Sequence, residues 1–119
     1  MKIGNINTSK KIFIVAEIGN NHEGNFELAK KMIEKAALAK VDAVKFQTFI
    51  PEHISGGDEK RFHRLQKFQF THVQFKRLVK IAKKNGLVFF STPFDIESAL
   101  FLNTIQPVFK IASGDNNFY

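Results

Sequence analysis

A parallel α/β fold of the (β/α)-barrel type is predicted by three observations. Four strand-sized apolar runs alternate with three amphipathic helical stretches, the alternation that builds right-handed βαβ crossovers and a parallel sheet. The strands carry little of the apolar/polar alternation of a half-exposed sheet, as expected where both faces are covered. All four runs end on groups capable of chemistry: Glu17, then Lys45 and Gln47, then Ser91 and Thr92, then Lys110 and Ser113. Several strand ends donating such groups to one rim is how a barrel mouth is furnished.

Residues 1–11 are polar and suit an edge segment or short hairpin ahead of the first core strand. Ile12 to Ala16 is apolar throughout and reads as a strand buried on both faces, stopping on Glu17 and opening into the turn Gly19-Asn20-Asn21-His22-Glu23-Gly24. Asn25 or Gly24 can cap a first helix from Phe26 to Ala39, in which Leu28, Ala29, Met32, Ile33 and Ala36 repeat at helical spacing. Asp42 to Gln47 returns to strand around Ala43, Val44 and Phe46, with Lys45 inside it. An ammonium group in a buried strand is costly without an anion to meet it, so Lys45 points to a ligand or an ion pair.

Thr48 to Phe70 is a long excursion with a proline, a Gly-Gly and a short helix predicted over Glu59 to Lys67. Connections of this length usually serve a site, and it is expected over the mouth of the fold. Its histidines, His53 and His63, lack metal-ligand spacing. Thr71-His72-Val73-Gln74 is a capping box for a helix carrying Phe75, Leu78, Val79 and Ala82 inward and stopped by Asn85-Gly86. Leu87 to Phe90 is the third strand, ending on the hydroxyls of Ser91 and Thr92 beside Pro93 and Phe94. Asp95 can cap a helix with Ala99, Leu100, Leu102 and Ile105 on its inner side. Pro107 to Ile111 is the fourth strand, with Lys110 inside it and a polar turn from Ala112 to Asn117 after it.

A chain of 119 residues fits one domain, residues 1–119, and 44% hydrophobic with 24% charged residues is globular composition. No apolar run approaches the roughly 20 residues of a bilayer crossing, and no signal segment opens the chain, so a cytoplasmic location and no membrane partner are expected. With no cysteine there is neither a disulfide framework nor a thiolate site. The charge of +7 and pI near 9.8 bring nucleic acid to mind. The cations instead fall at the spacing of wet helix faces (Lys30, Lys31, Lys35; Lys76, Arg77, Lys80, Lys83, Lys84), so nucleic acid is not expected as a partner.

Two lysines, several hydroxyls and turn amides facing one space make an anion site suited to phosphate or carboxylate, and an acid beside them can hold or move a proton. GxxxxGK[ST], GxGxxG and GxSxG are all absent, so nucleotide binding or ester hydrolysis through those devices has no support.

The motifs AEIGNNHEG, DAVKFQTF, FFSTPFD and FKIASGD, in this order and at these separations, resemble the N-terminal half of the sialic acid synthase family, which includes N-acetylneuraminate, legionaminate and pseudaminate synthases and spore-coat relatives. The resemblance covers about Ile12 to Asn117. It implies the first half, about four βα units, of a TIM barrel that condenses phosphoenolpyruvate with an N-acetylated amino sugar such as N-acetylmannosamine. It implies Glu17 as the acid/base at the sugar aldehyde or at the attacking water, and Lys45, Thr92, Lys110 and Ser113 as holders of the phosphate and carboxylate of phosphoenolpyruvate. Gln47 and Phe94 would face the sugar, and Asp115 stands where the family usually has Glu. Lys40 stands where glycine is common, and His22 belongs to the first motif without being a metal ligand. The implied cofactor is a divalent cation, Mn2+ or Mg2+, whose histidine ligands fall in later strands and not in this chain. A C-terminal antifreeze-like domain is likewise absent, so the chain is expected to be a truncated piece, inactive alone and inclined to form a homodimer. The alternative is a non-catalytic relative that only binds an anion or assembles with another chain.

Overall fold

A computed structural model of the chain describes residues 1–116, so Asn117, the end of the expected polar turn, lies outside the described residues. The first elements are β1 (Lys2–Ile3) and β2 (Ile6–Asn7), an antiparallel hairpin as expected of the polar start. The order then runs β3 (Val15–Gly19), α1 (Phe26–Leu38), β4 (Ala43–Thr48), α2 (Pro51–Ile54), α3 (Glu59–Phe68), α4 (His72–Lys84), β5 (Val88–Pro93), α5 (Ile96–Leu102) and a 3-10 turn at Ser113–Asp115.

β3, β4 and β5 form one parallel sheet with β4 in the centre. The register sets Glu17 beside Lys45, Lys45 beside Phe90, and Gln47 beside Thr92. Because side chains alternate across a strand, these residues share one face. Ile18, Val44, Phe46 and Phe89 share the other face and pack against Ala29, Ile33 and Ala36 of α1 and Phe75, Leu78 and Ala82 of α4 in one buried cluster. The two helices are secured at their starts by the Asn25 side chain, which accepts from Leu28 N, and by the Thr71/Gln74 capping box.

Three expectations are corrected. Ile12 and Ile14 are 82% and 50% exposed, because β3 is an edge of the sheet and its pairing with β4 begins only at Val15. Pro107 to Ile111 forms no strand: Pro107 has no N–H to give, and the open side of β5 is met instead by a side chain. Gln106 Oε1 accepts from Ser91 N at 2.7 Å and its Nε2 donates to Ser91 O at 3.1 Å, so one carboxamide replaces two ladder bonds. The excursion after β4 holds two helices rather than one and packs beside the rim, on the turn that follows β3. Gly24 (φ +79°) lies so near α3 that a Cβ would sit 2.0 Å from Lys67 O, and Phe70 stacks on His22 with ring centroids 4.1 Å apart.

Candidate active site

The parallel strands deliver their carboxyl ends to one side of the sheet, and the predicted residues meet there in a cleft of about 190 Å³. β4 contributes Lys45 and Gln47; β5 and the residue after it contribute Thr92 and Phe94. Lys110, Ser113 and Asp115 close the other wall. The last three arrive without a ladder to carry them, so the fourth segment reaches the rim although it is not a strand.

Glu17 lies next to this wall through an ion pair, with Lys45 Nζ 2.5 Å from Glu17 Oε2. The Lys45 side chain is 19% exposed and that of Glu17 48%, so the ammonium is the more enclosed partner. The anion that a lysine in a strand demanded is therefore supplied internally, and any ligand anion must compete with it. The Lys110 ammonium is held by the carbonyl of Ile111. Two cations, the carboxylates of Glu17 and Asp115, the hydroxyls of Thr92 and Ser113 and the amide of Gln47 thus converge on one space, a set able to bind a small anion and handle a proton beside it.

Ser91 is corrected. It is fully buried on the helix side of the sheet, its Oγ 2.7 Å from Thr48 Oγ1, and so is separated from the cleft by the strand itself. Adjacent residues of a strand face opposite ways, so of two neighbouring hydroxyls only Thr92 could reach the rim. Asn20, read from sequence as a turn former, has a larger part than expected: its Nδ2 donates to Gln47 Oε1 at 2.7 Å. Nothing in its spacing marks it, since the bond spans a turn and a whole helix.

His22 is 1% exposed, and its Nδ1 accepts from Gly24 N at 3.0 Å. Burial pushes its pKa down to about 4, against a backbone hydrogen bond at Gly19 that raises it, so the ring is neutral near pH 7 and serves the turn. A larger groove of about 640 Å³ runs between α1 and α4 on the far side, lined by the wet-face residues Lys30, Arg77, Lys80 and Lys84 with Glu27 and Glu34 among them. No strand end reaches it.

Residues 32–119 match the NeuB family. The chain belongs to the NeuB family. Among relatives, the pseudaminic acid synthase of Campylobacter jejuni is 37% identical over 99% of this chain and 40% of its own length. The N,N'-diacetyllegionaminic acid synthase of the same organism is 39% identical over 89% of this chain and 36% of its own length. The crystal structure of N-acetylneuraminic acid (sialic acid) synthetase from Leptospira borgpetersenii, in complex with citrate, superposes with a TM-score of 0.90 at 36% identity, covering 97% of this chain and 41% of that one. This NeuB-family chain therefore has the TIM-barrel-type fold and spans about 40% of the length of the curated relatives it matches.

Proposed function

We propose that the cleft of this NeuB-family chain binds phosphoenolpyruvate for condensation with an N-acetylated amino sugar such as N-acetylmannosamine, giving a nonulosonic acid and phosphate. The observation that carries this is the convergence of Lys45, Thr92, Lys110 and Ser113 on one cleft with Glu17 paired to Lys45. The two ammonium groups and the hydroxyls neutralise and orient the phosphate and carboxylate, which holds the enol carbon in place. As the ligand anion takes over Lys45, the ion pair opens and Glu17 is freed to accept or deliver a proton at the sugar aldehyde or at the attacking water. A divalent cation belongs to the proposed reaction, but no group of three or more His, Asp or Glu able to hold a metal occurs among the described residues. The residues here do not fit such an ion.

Calorimetric titration of the purified chain with phosphoenolpyruvate tests the proposal. Lys45→Met and Lys110→Met are each expected to weaken binding about tenfold or more, the loss of one charge-assisted contact. Glu17→Gln removes the competitor for Lys45 and is expected to tighten binding by up to about fivefold, the value of an exposed ion pair. Equal affinity in all four proteins, or no binding by any of them, refutes the assignment.

A further inference from the structure

We infer that Asn20 is a positioning residue that locks the Gln47 carboxamide with its NH2 group toward the cleft, so that this end of the site takes a hydrogen-bond acceptor, a carbonyl or hydroxyl oxygen, of the second substrate. The inference rests on the proposed function of the cleft.

Three observations support it. Asn20 Nδ2 donates to Gln47 Oε1 at 2.7 Å, joining the turn after β3 to the cleft wall on β4. Gln47 lines the cleft, and among the described residues its Nε2 has no acceptor. Gly19, between Glu17 and Asn20, has φ +53°, and a Cβ there would lie 3.2 Å from Glu17 Oε1 and 3.7 Å from Gln47 Nε2. The bare glycine therefore leaves a donor and a carboxylate flanking one small space.

The orientation of the pair follows from what each alternative leaves unpaired. Turning the Gln47 amide alone would bring its NH2 against the Asn20 NH2, donor to donor. Turning both would restore one bond but leave the Asn20 NH2 as the buried group without a partner. Orphaned N–H groups are rarer in folded proteins than under-satisfied carbonyl oxygens. In the observed arrangement the orphan is Asn20 Oδ1, buried with no hydrogen-bond partner. A buried acceptor without a donor is destabilising, and an apolar residue of similar size would avoid it. A residue kept for stability alone is not placed this way; one that fixes its neighbour's polarity is.

Nitrogen-15 NMR titrations of the purified chain test the inference, with phosphoenolpyruvate as the first ligand and N-acetylmannosamine as the second, alongside the melting temperature of each variant. In the wild-type protein the sugar should shift the Gln47 side-chain NH2 signals. Asn20→Leu should weaken the sugar at least fivefold, leave phosphoenolpyruvate affinity within twofold, and keep or raise the melting temperature. Asn20→Asp accepts from Gln47 Nε2, turns the carbonyl oxygen to the cleft, and should weaken the sugar further. Wild-type sugar affinity in Asn20→Leu overturns the inference, as does a lowered melting temperature with both ligands weakened, the mark of a purely structural residue. If phosphoenolpyruvate binds but the sugar never moves Gln47, the inference fails while the anion site stands. If the wild-type protein binds neither ligand, the proposed function fails and takes the inference with it.

Discussion

His22 carries a consequence for folding rather than for chemistry. Its ring is enclosed by Phe70 and Phe46, and burial holds its pKa at about 4, below the usual 6.5. Above pH 6.5 the ring is neutral in both the folded and unfolded chain and its contribution is fully present. Between about pH 6.5 and 4 the unfolded chain takes up a proton that the fold refuses, so up to about 3 kcal/mol of stability is lost as pH falls through that window. Urea unfolding from pH 8 to 4 should show this acid limb. In His22→Asn, whose amide oxygen can take the place of Nδ1, the limb should flatten although the ring stack is lost; an unchanged limb would show that another group is responsible. Asp42 works in the same direction at lower pH. Its carboxyl is held below the usual carboxylate range by the Ile14 N–H and then by Lys11, so it too favours the fold less in acid. Neither role was legible in the residue types alone, because each depends on a partner that the chain meets only after folding.

Helices α1 and α4 end in the same way, with the third residue past each helix bonding back to the last turn: Val41 N to Ala36 O and Leu87 N to Ala82 O. That geometry puts one residue in the left-handed region. α4 uses Gly86 at φ +74°, whereas α1 uses Lys40 at φ +59°. An L side chain there is strained by roughly 1–2 kcal/mol, partly offset by the extra freedom glycine gives the unfolded chain. Lys40→Gly is therefore expected to stabilise the protein by about 0.5–1 kcal/mol in chemical denaturation, with ligand binding unchanged. No gain would mean that the exposed Lys40 side chain makes a contribution of its own. The caps expected at Asn25, Thr71 and Asp95 are all formed, since a cap is decided within a few residues. The segment Pro107 to Ile111 misled, since a strand exists only where a neighbour accepts its bonds.

For the molecule as a whole, β3 and β5 are the two edges of the parallel sheet, and Gln106 covers only part of one. Apolar side chains gather along the uncovered surfaces: Ile12 and Ile14 beside β3, and Ile96, Ile111 and Leu100 beside β5, the last facing out against the inward placement expected of it, are between 50% and 82% exposed. Open edges and apolar patches of this kind are usually paired or hidden. Two copies of this chain are therefore expected to associate, against the repulsion of a net charge of +7. Light scattering should find a dimer mass that is favoured by added salt, because salt screens that repulsion. Ile12→Lys with Ile14→Lys should return it to a monomer, and a well-folded wild-type monomer at every salt concentration would exclude the association.

The alternation of the first three core strands with helices α1, α4 and α5, their caps and most of the cleft residues were determined by the sequence, because periodicity, turn chemistry and a polar group at a strand end are local properties written in neighbouring residues. Tertiary structure alone decided that Lys45 is met by Glu17, that Ser91 turns away while Thr92 turns in, that Asn20 holds Gln47, and that a side chain stands in for the fourth strand. Each of these depends on which distant group comes within about 3 Å, and the free energy of a hydrogen bond or ion pair is decided at that distance.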